Sequence, residues 1–94
     1  MIREKGNKAG ELVIGGRAVS EEEFYRAFGD SLRAERKNKN LSLQELSEKT
    51  GLPFQTLSTY ENCTRRPSLM QAVRIASYFD TTVESFIEYG LKSR

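Results

Sequence analysis

The sequence contains no histidine and no tryptophan, a single cysteine, Cys63, and only two prolines. Without histidine there is no imidazole for acid–base chemistry or zinc ligation, and one thiol cannot close a disulfide within the chain. No glycine-rich phosphate loop and no activated-nucleophile pattern occurs, so neither an enzyme nor a metal or cofactor site is expected. No run approaches the roughly 18 apolar residues of a membrane span. The opening MIREKGNK is charged with no apolar segment behind it, which makes a cytoplasmic chain the expectation. The charge is nearly balanced, with 15 basic and 13 acidic residues giving +2. So small a total does not by itself point to nucleic acid, because binding depends on where the basic residues cluster. A length of 94 residues leaves room for one core.

Residues 1–20 hold Gly6, Gly10, Gly15 and Gly16 and lack helical periodicity. The segment from Glu11 to Val19 reads either as a mobile tail or as a short β-hairpin turning at Gly15-Gly16 between β-branched flanks. Residues 21–94 read differently, as five helices without a confident strand. Ser20 with Glu23 forms a capping box, and Phe24, Ala27, Phe28, Ser31, Leu32 and Glu35 recur at helical spacing to about Lys37. Ser42 with Glu45 forms a second box, opening a short helix that carries Leu43 and Leu46 and ends at Gly51. A third runs from Phe54 to Glu61 behind Pro53. Pro67-Ser68 opens a fourth, with Leu69, Ala72, Val73, Ala76 and Phe79 in helical register. Thr82 caps a fifth carrying Val83, Phe86 and Ile87. The fold class is therefore all-α, with Leu41, Leu46, Leu52, Leu57, Tyr60, Leu69, Val73, Ile75, Ala76 and Phe79 as core candidates.

Two short helices joined by Thr50-Gly-Leu-Pro53 make a helix-turn-helix. Leu46 and Leu57 meet across the turn and fix the crossing angle, and the first turn of the second helix projects outward. The stretches Leu41-Ser-Leu-Gln-Glu-Leu-Ser-Glu-Lys-Thr-Gly51, Leu57-Ser-Thr-Tyr-Glu61, Arg65-Arg-Pro-Ser-Leu69 and Ile75-Ala76 resemble the Cro/repressor type of helix-turn-helix regulators, also called XRE-like and typified by phage lambda repressor. The resemblance covers residues 25–90. It implies a compact five-helix lambda repressor-like domain that binds double-stranded DNA, with the helix at residues 54–61 in a major groove and a homodimer on a two-fold symmetric site.

By this resemblance Phe54, Gln55, Thr56 and Thr59 face the bases. Gln55 suits bidentate pairing with adenine, and the threonines suit a thymine methyl or a donor contact. Phe54 either lies on a thymine methyl or is a hydrophobic staple at the helix start. Ser42, the backbone N–H of Leu43, Asn62, Thr64, Arg65 and Arg66 are the phosphate candidates. Arg36 and Glu61 are expected to pair in a partly buried bridge that orients the helices. Arg33, Lys37 and Lys39 either touch peripheral phosphates or form a solvated face, and Arg3, Lys5 and Lys8 either follow the DNA backbone or belong to a free terminus.

Departures from the family are Leu43 in place of a frequent glutamine, Phe54 in place of a polar residue, and Cys63 in place of a glycine. If Cys63 takes the left-handed conformation it carries about 1 kcal/mol of strain. The expected dimer surface is some of Phe86, Ile87, Tyr89 and Leu91, or strands exchanged through residues 11–19. The alternative function is an antitoxin or other interaction module in which residues 1–20 fold on a toxin or regulatory protein.

Overall fold

The computed structural model describes residues 10–92; Arg3, Lys5 and Lys8 lie outside them. Two strands, β1 (Leu12–Ile14) and β2 (Arg17–Val19), precede five helices: α1 (Glu21–Asn38), α2 (Leu43–Thr50), α3 (Phe54–Glu61), α4 (Leu69–Tyr78) and α5 (Val83–Lys92). The hairpin alternative is the one realised. Gly15 and Gly16 both sit at positive φ, which a two-residue turn between right-twisted strands requires, and Leu12, Val13 and Ile14 pair with Val19, Ala18 and Arg17. An isolated hairpin this short is marginal in water. Here Val19 is buried and Ile14 packs against the helical core, so the hairpin is held by its own chain.

The helix starts follow the sequence. Ser20–Glu23 and Ser42–Glu45 form complete capping boxes, and the hydroxyls of Ser68 and Thr82 accept from Gln71 and Ser85 N–H groups. The helix ends share a left-handed device, which the sequence suggests at Gly51 and, by resemblance, at Cys63. Asn40, Cys63 and Asp80 all take left-handed φ near 60°. The next N–H then returns to a carbonyl five residues back: Leu41 to Arg36, Thr64 to Thr59, and Thr81 to Ala76. Cys63 therefore carries the strain anticipated for it.

The core is one cluster in which Phe28 of α1 meets Phe86 edge-on at 5.2 Å and Tyr60 at 6.2 Å, while Phe79 stacks on Phe86. Leu46 and Leu57 are both fully buried in it. Two expectations need correction. Leu69 and Val73 are not core: they are 78% and 43% exposed, and α4 buries the neighbouring edge made by Ala72, Ile75, Ala76 and Phe79. Phe86 and Ile87 are fully buried within their own subunit, so they cannot form a dimer surface; Tyr89 remains exposed and Leu91 half-buried. No described helix is long and apolar enough to cross a membrane.

α1 is approached closely on two sides. A Cβ at Gly90 of α5 would lie 2.0 Å from the Ala27 carbonyl oxygen, and one at Gly29 would lie 2.5 Å from that of Tyr60. Both meet backbone, which cannot swing aside. Gly90→Ala is expected to lower stability by about 1 to 3 kcal/mol or more through overpacking, read as a reduced denaturant midpoint at unchanged slope.

Candidate nucleic-acid interface

The turn between α2 and α3 is tied by hydroxyls as well as by packing. Ser47 Oγ donates to the Leu52 carbonyl at 2.6 Å, Thr50 Oγ1 donates to Leu46 O at 2.8 Å, and the same Thr50 oxygen accepts from Leu52 N–H at 3.3 Å. Leucine side chains from both helices close over the other face. The helix pair is thus fixed before anything binds it.

α3 then shows solvent its first turn. Phe54 is 45% exposed. Gln55 is exposed beside it, while Thr56 and Thr59 are half-buried. Thr59 Oγ1 donates to Thr56 O at 2.6 Å, so its hydroxyl proton is spent inside the helix. The donor role expected of Thr59 is corrected accordingly: it offers a methyl and a lone pair. Pro53 supplies no side-chain cap to this helix.

Around this turn the phosphate candidates differ in what they have free. At the start of α2, Ser42 Oγ accepts from Glu45 N–H, and Glu45 Oε1 accepts from Ser42 N–H at 2.8 Å. The partly buried side chain of Leu43 packs against the core, so its backbone N–H is what it offers a phosphate. Asn62 accepts from Arg33 at 3.2 Å and donates to Ser58 Oγ at 3.4 Å, and Thr64 Oγ1 turns back to Thr59 O. Arg65 is exposed and has no ion pair among the described residues. Arg66 turns away from α3: its guanidinium lies 4.6 Å from the centroid of the Tyr25 ring and 3.2 Å from Glu21. Both members of that ion pair are exposed, so it is weak.

Behind the exposed turn lies the charged lock. Glu61, its side chain 2% exposed, accepts from Arg36 through both oxygens, at 2.7 Å and 3.0 Å. Arg36 also donates to the Leu41 carbonyl at 2.9 Å, so one guanidinium joins the end of α1, the loop leading to α2 and the end of α3. Hydrogen bonding to the carboxylate holds the Arg36 proton more tightly than usual, against the opposing effect of burial. Arg33 completes the group, donating to Glu61 at 3.3 Å. Sequence reading placed Arg33 among peripheral phosphate residues or a solvated face. The available signal was its spacing of three from Arg36, which puts both on one face of α1.

Beside the lock, Tyr60 donates its hydroxyl to Gln71 of α4. Burial pushes that hydroxyl's pKa up, against the opposing charge of Arg65. Glu61→Ala, which strands Arg36, is expected to cost about 3 kcal/mol or more, measured by chemical denaturation.

Comparison with known proteins agrees with this geometry. The HTH_3 helix-turn-helix family model matches residues 32–86, more than half of the chain. The HTH-type transcriptional regulator AnsR of Bacillus subtilis (strain 168) is 40% identical over 58 residues, which are 62% of this chain and 50% of AnsR. The chain thus spans about half the length of that curated relative. Among solved structures, the biofilm master regulator SinR in complex with DNA aligns at 30% identity with TM-score 0.59, covering 64% of this chain and 97% of that one. The clp gene regulator ClgR of Corynebacterium glutamicum shares the fold at 23% identity with TM-score 0.66, over 74% of each chain. An HTH_3 family transcriptional regulator of Vibrio cholerae does so at 22% identity with TM-score 0.67, covering 79% of this chain and 42% of that one. By its matched residues and by the helix pair they build, the chain belongs to the HTH_3 helix-turn-helix family.

Proposed function

We propose that this chain is a sequence-specific regulator of transcription that binds double-stranded DNA as a homodimer and acts as a repressor by occupying its site. The observation that carries this reading is the exposed first turn of α3, Phe54 and Gln55, held at a fixed angle by Glu61 and flanked by Arg65, which has no ion pair among the described residues. The described relatives support it: one is a transcriptional regulator and another was solved on DNA.

In this reading α3 enters the major groove. Gln55 presents its amide to an adenine edge, and Phe54 and the methyls of Thr56 and Thr59 pack on thymine. Arg65, the N–H groups at the start of α2 and, on giving up Glu21, Arg66 hold phosphates and set the register. A single short helix reads only a few base pairs. Useful specificity therefore calls for two copies with recognition helices about one helical turn apart, roughly 34 Å.

Selection of bound sites from random duplexes tests the assignment, with an inverted repeat as the expected result; no enrichment at low salt would refute it. On the selected site, Gln55→Ala is expected to cost about 1 to 3 kcal/mol and to relax preference at one base step, measured by competition with single-base variants. Arg65→Ala should weaken binding to all duplexes alike and reduce the slope of log K against log salt by about 1. Arg66→Ala should also reduce that slope by about 1 if Arg66 leaves Glu21 for a phosphate, and leave it unchanged if Arg66 stays on Glu21.

A further inference from the structure

The proposed dimer needs a surface, and α5 does not offer Phe86 and Ile87 for one. The strongest exposed apolar feature among the described residues lies on α4. Leu69 is 78% exposed and Met70 65%, with Val73 one turn on. Beside Val73 the surface sinks into a shallow groove, lined also by Ser77 and Val83, where α4 meets the start of α5. We infer that this face is the homodimer interface, formed by two copies packing α4 against α4 in antiparallel orientation; the inference rests on the regulator reading for its purpose.

The case for a second copy as occupant is self-complementarity, the property an isologous interface requires. Leu69 stands four residues before Val73 and Ser77 four residues after it, each about 6 Å along the helix axis. A two-fold axis through Val73 therefore seats the Leu69 knob of one copy in the Ser77–Val83 groove of the other, and the reverse. The same axis sets Val73 against Val73.

Charge selects the same orientation. The basic Arg65-Arg66 segment precedes α4 and the exposed Asp80 follows it. Antiparallel packing brings the end that carries Arg65 toward Asp80 of the other copy, whereas parallel packing sets like charges side by side. Arg66 stays on Glu21, and the exposed Arg74 lies beside the axis, its long side chain free to extend into solvent. Asp80 has no ion pair among the described residues, so it is available to a second copy. The patch also begins just after the loop that carries Arg65, which places the dimer contact next to the proposed phosphate contacts rather than across the domain.

Sedimentation of the full chain without DNA decides the interface by itself. Wild type is expected to dimerise, and Leu69→Gln with Val73→Gln to weaken association about tenfold or more. Both side chains are on the surface, so the double variant should keep its melting temperature and bind a duplex carrying one half-site within about twofold of wild type. It should lose the cooperative gain on the inverted repeat. In a Cys63→Ser background, Val73→Cys should cross-link to a dimer on mild oxidation, because the two-fold axis sets this position against itself. A wild-type chain that stays monomeric both free and on the inverted repeat overturns the inference, as does a double variant that dimerises like wild type. A dimeric wild type whose double variant is monomeric, but which binds no duplex, bears out the interface and strikes only at the regulator reading.

Discussion

The geometry of the domain depends on one carboxylate. Glu61 is almost wholly removed from water at the end of α3, and Arg36 meets both of its oxygens. Burying such a pair gains little net stability, because desolvation offsets most of the attraction. What the pair supplies is direction. A carboxylate accepts a guanidinium fork in very few orientations. Satisfying it therefore fixes the rotation of α3 about its own axis, and with it the directions in which Phe54 and Gln55 point. Arg36 also takes the Leu41 carbonyl, so the same guanidinium sets where α2 begins. Leu57 and Tyr60 bury one face of this eight-residue helix, and the ion pair at its end holds the same rotation.

Much of this was legible before any coordinates. Helix starts at Ser20 and Ser42 are local chemistry, a hydroxyl and a carboxylate three residues apart, and they appear where the sequence places them. The Gly15-Gly16 pair likewise marks a hairpin turn, although whether the strands persist depends on Val19 finding the core, which no local pattern encodes. The Arg36–Glu61 pair was legible only through family resemblance, because the two residues lie 25 positions apart.

The misreadings have a common physical origin. On α4 the apolar arc is wider than the surface available to cover it. Periodicity reports the arc but not which edge of it meets α1 and α5, so Leu69 and Val73 were assigned inward while Ala72 and Ile75 in fact carry the burial. On α5 the reverse happened: Phe86 and Ile87 were offered to a partner because nothing in their own helix shows how closely α1 comes. Arg33 does lie at the surface, half exposed, but its bond to Glu61 was not foreseen, since an arginine's acceptor on another helix does not show in the local pattern. Left-handed closure at Asn40 and Asp80 was obscure because residues other than glycine tolerate it at modest cost; at Cys63 the resemblance pointed to it.

The two glycine contacts on α1 have a mechanical consequence. Gly90 lets α5 touch the backbone at Ala27, and two residues on, Gly29 lets α1 touch the backbone at the end of α3. At both junctions main chain bears on main chain, with no rotatable side chain between to absorb displacement. The three helices therefore behave as a stiff linkage. A load applied to α5, or to the hairpin resting on the core beside it, would reach the exposed first turn of α3 with little slack.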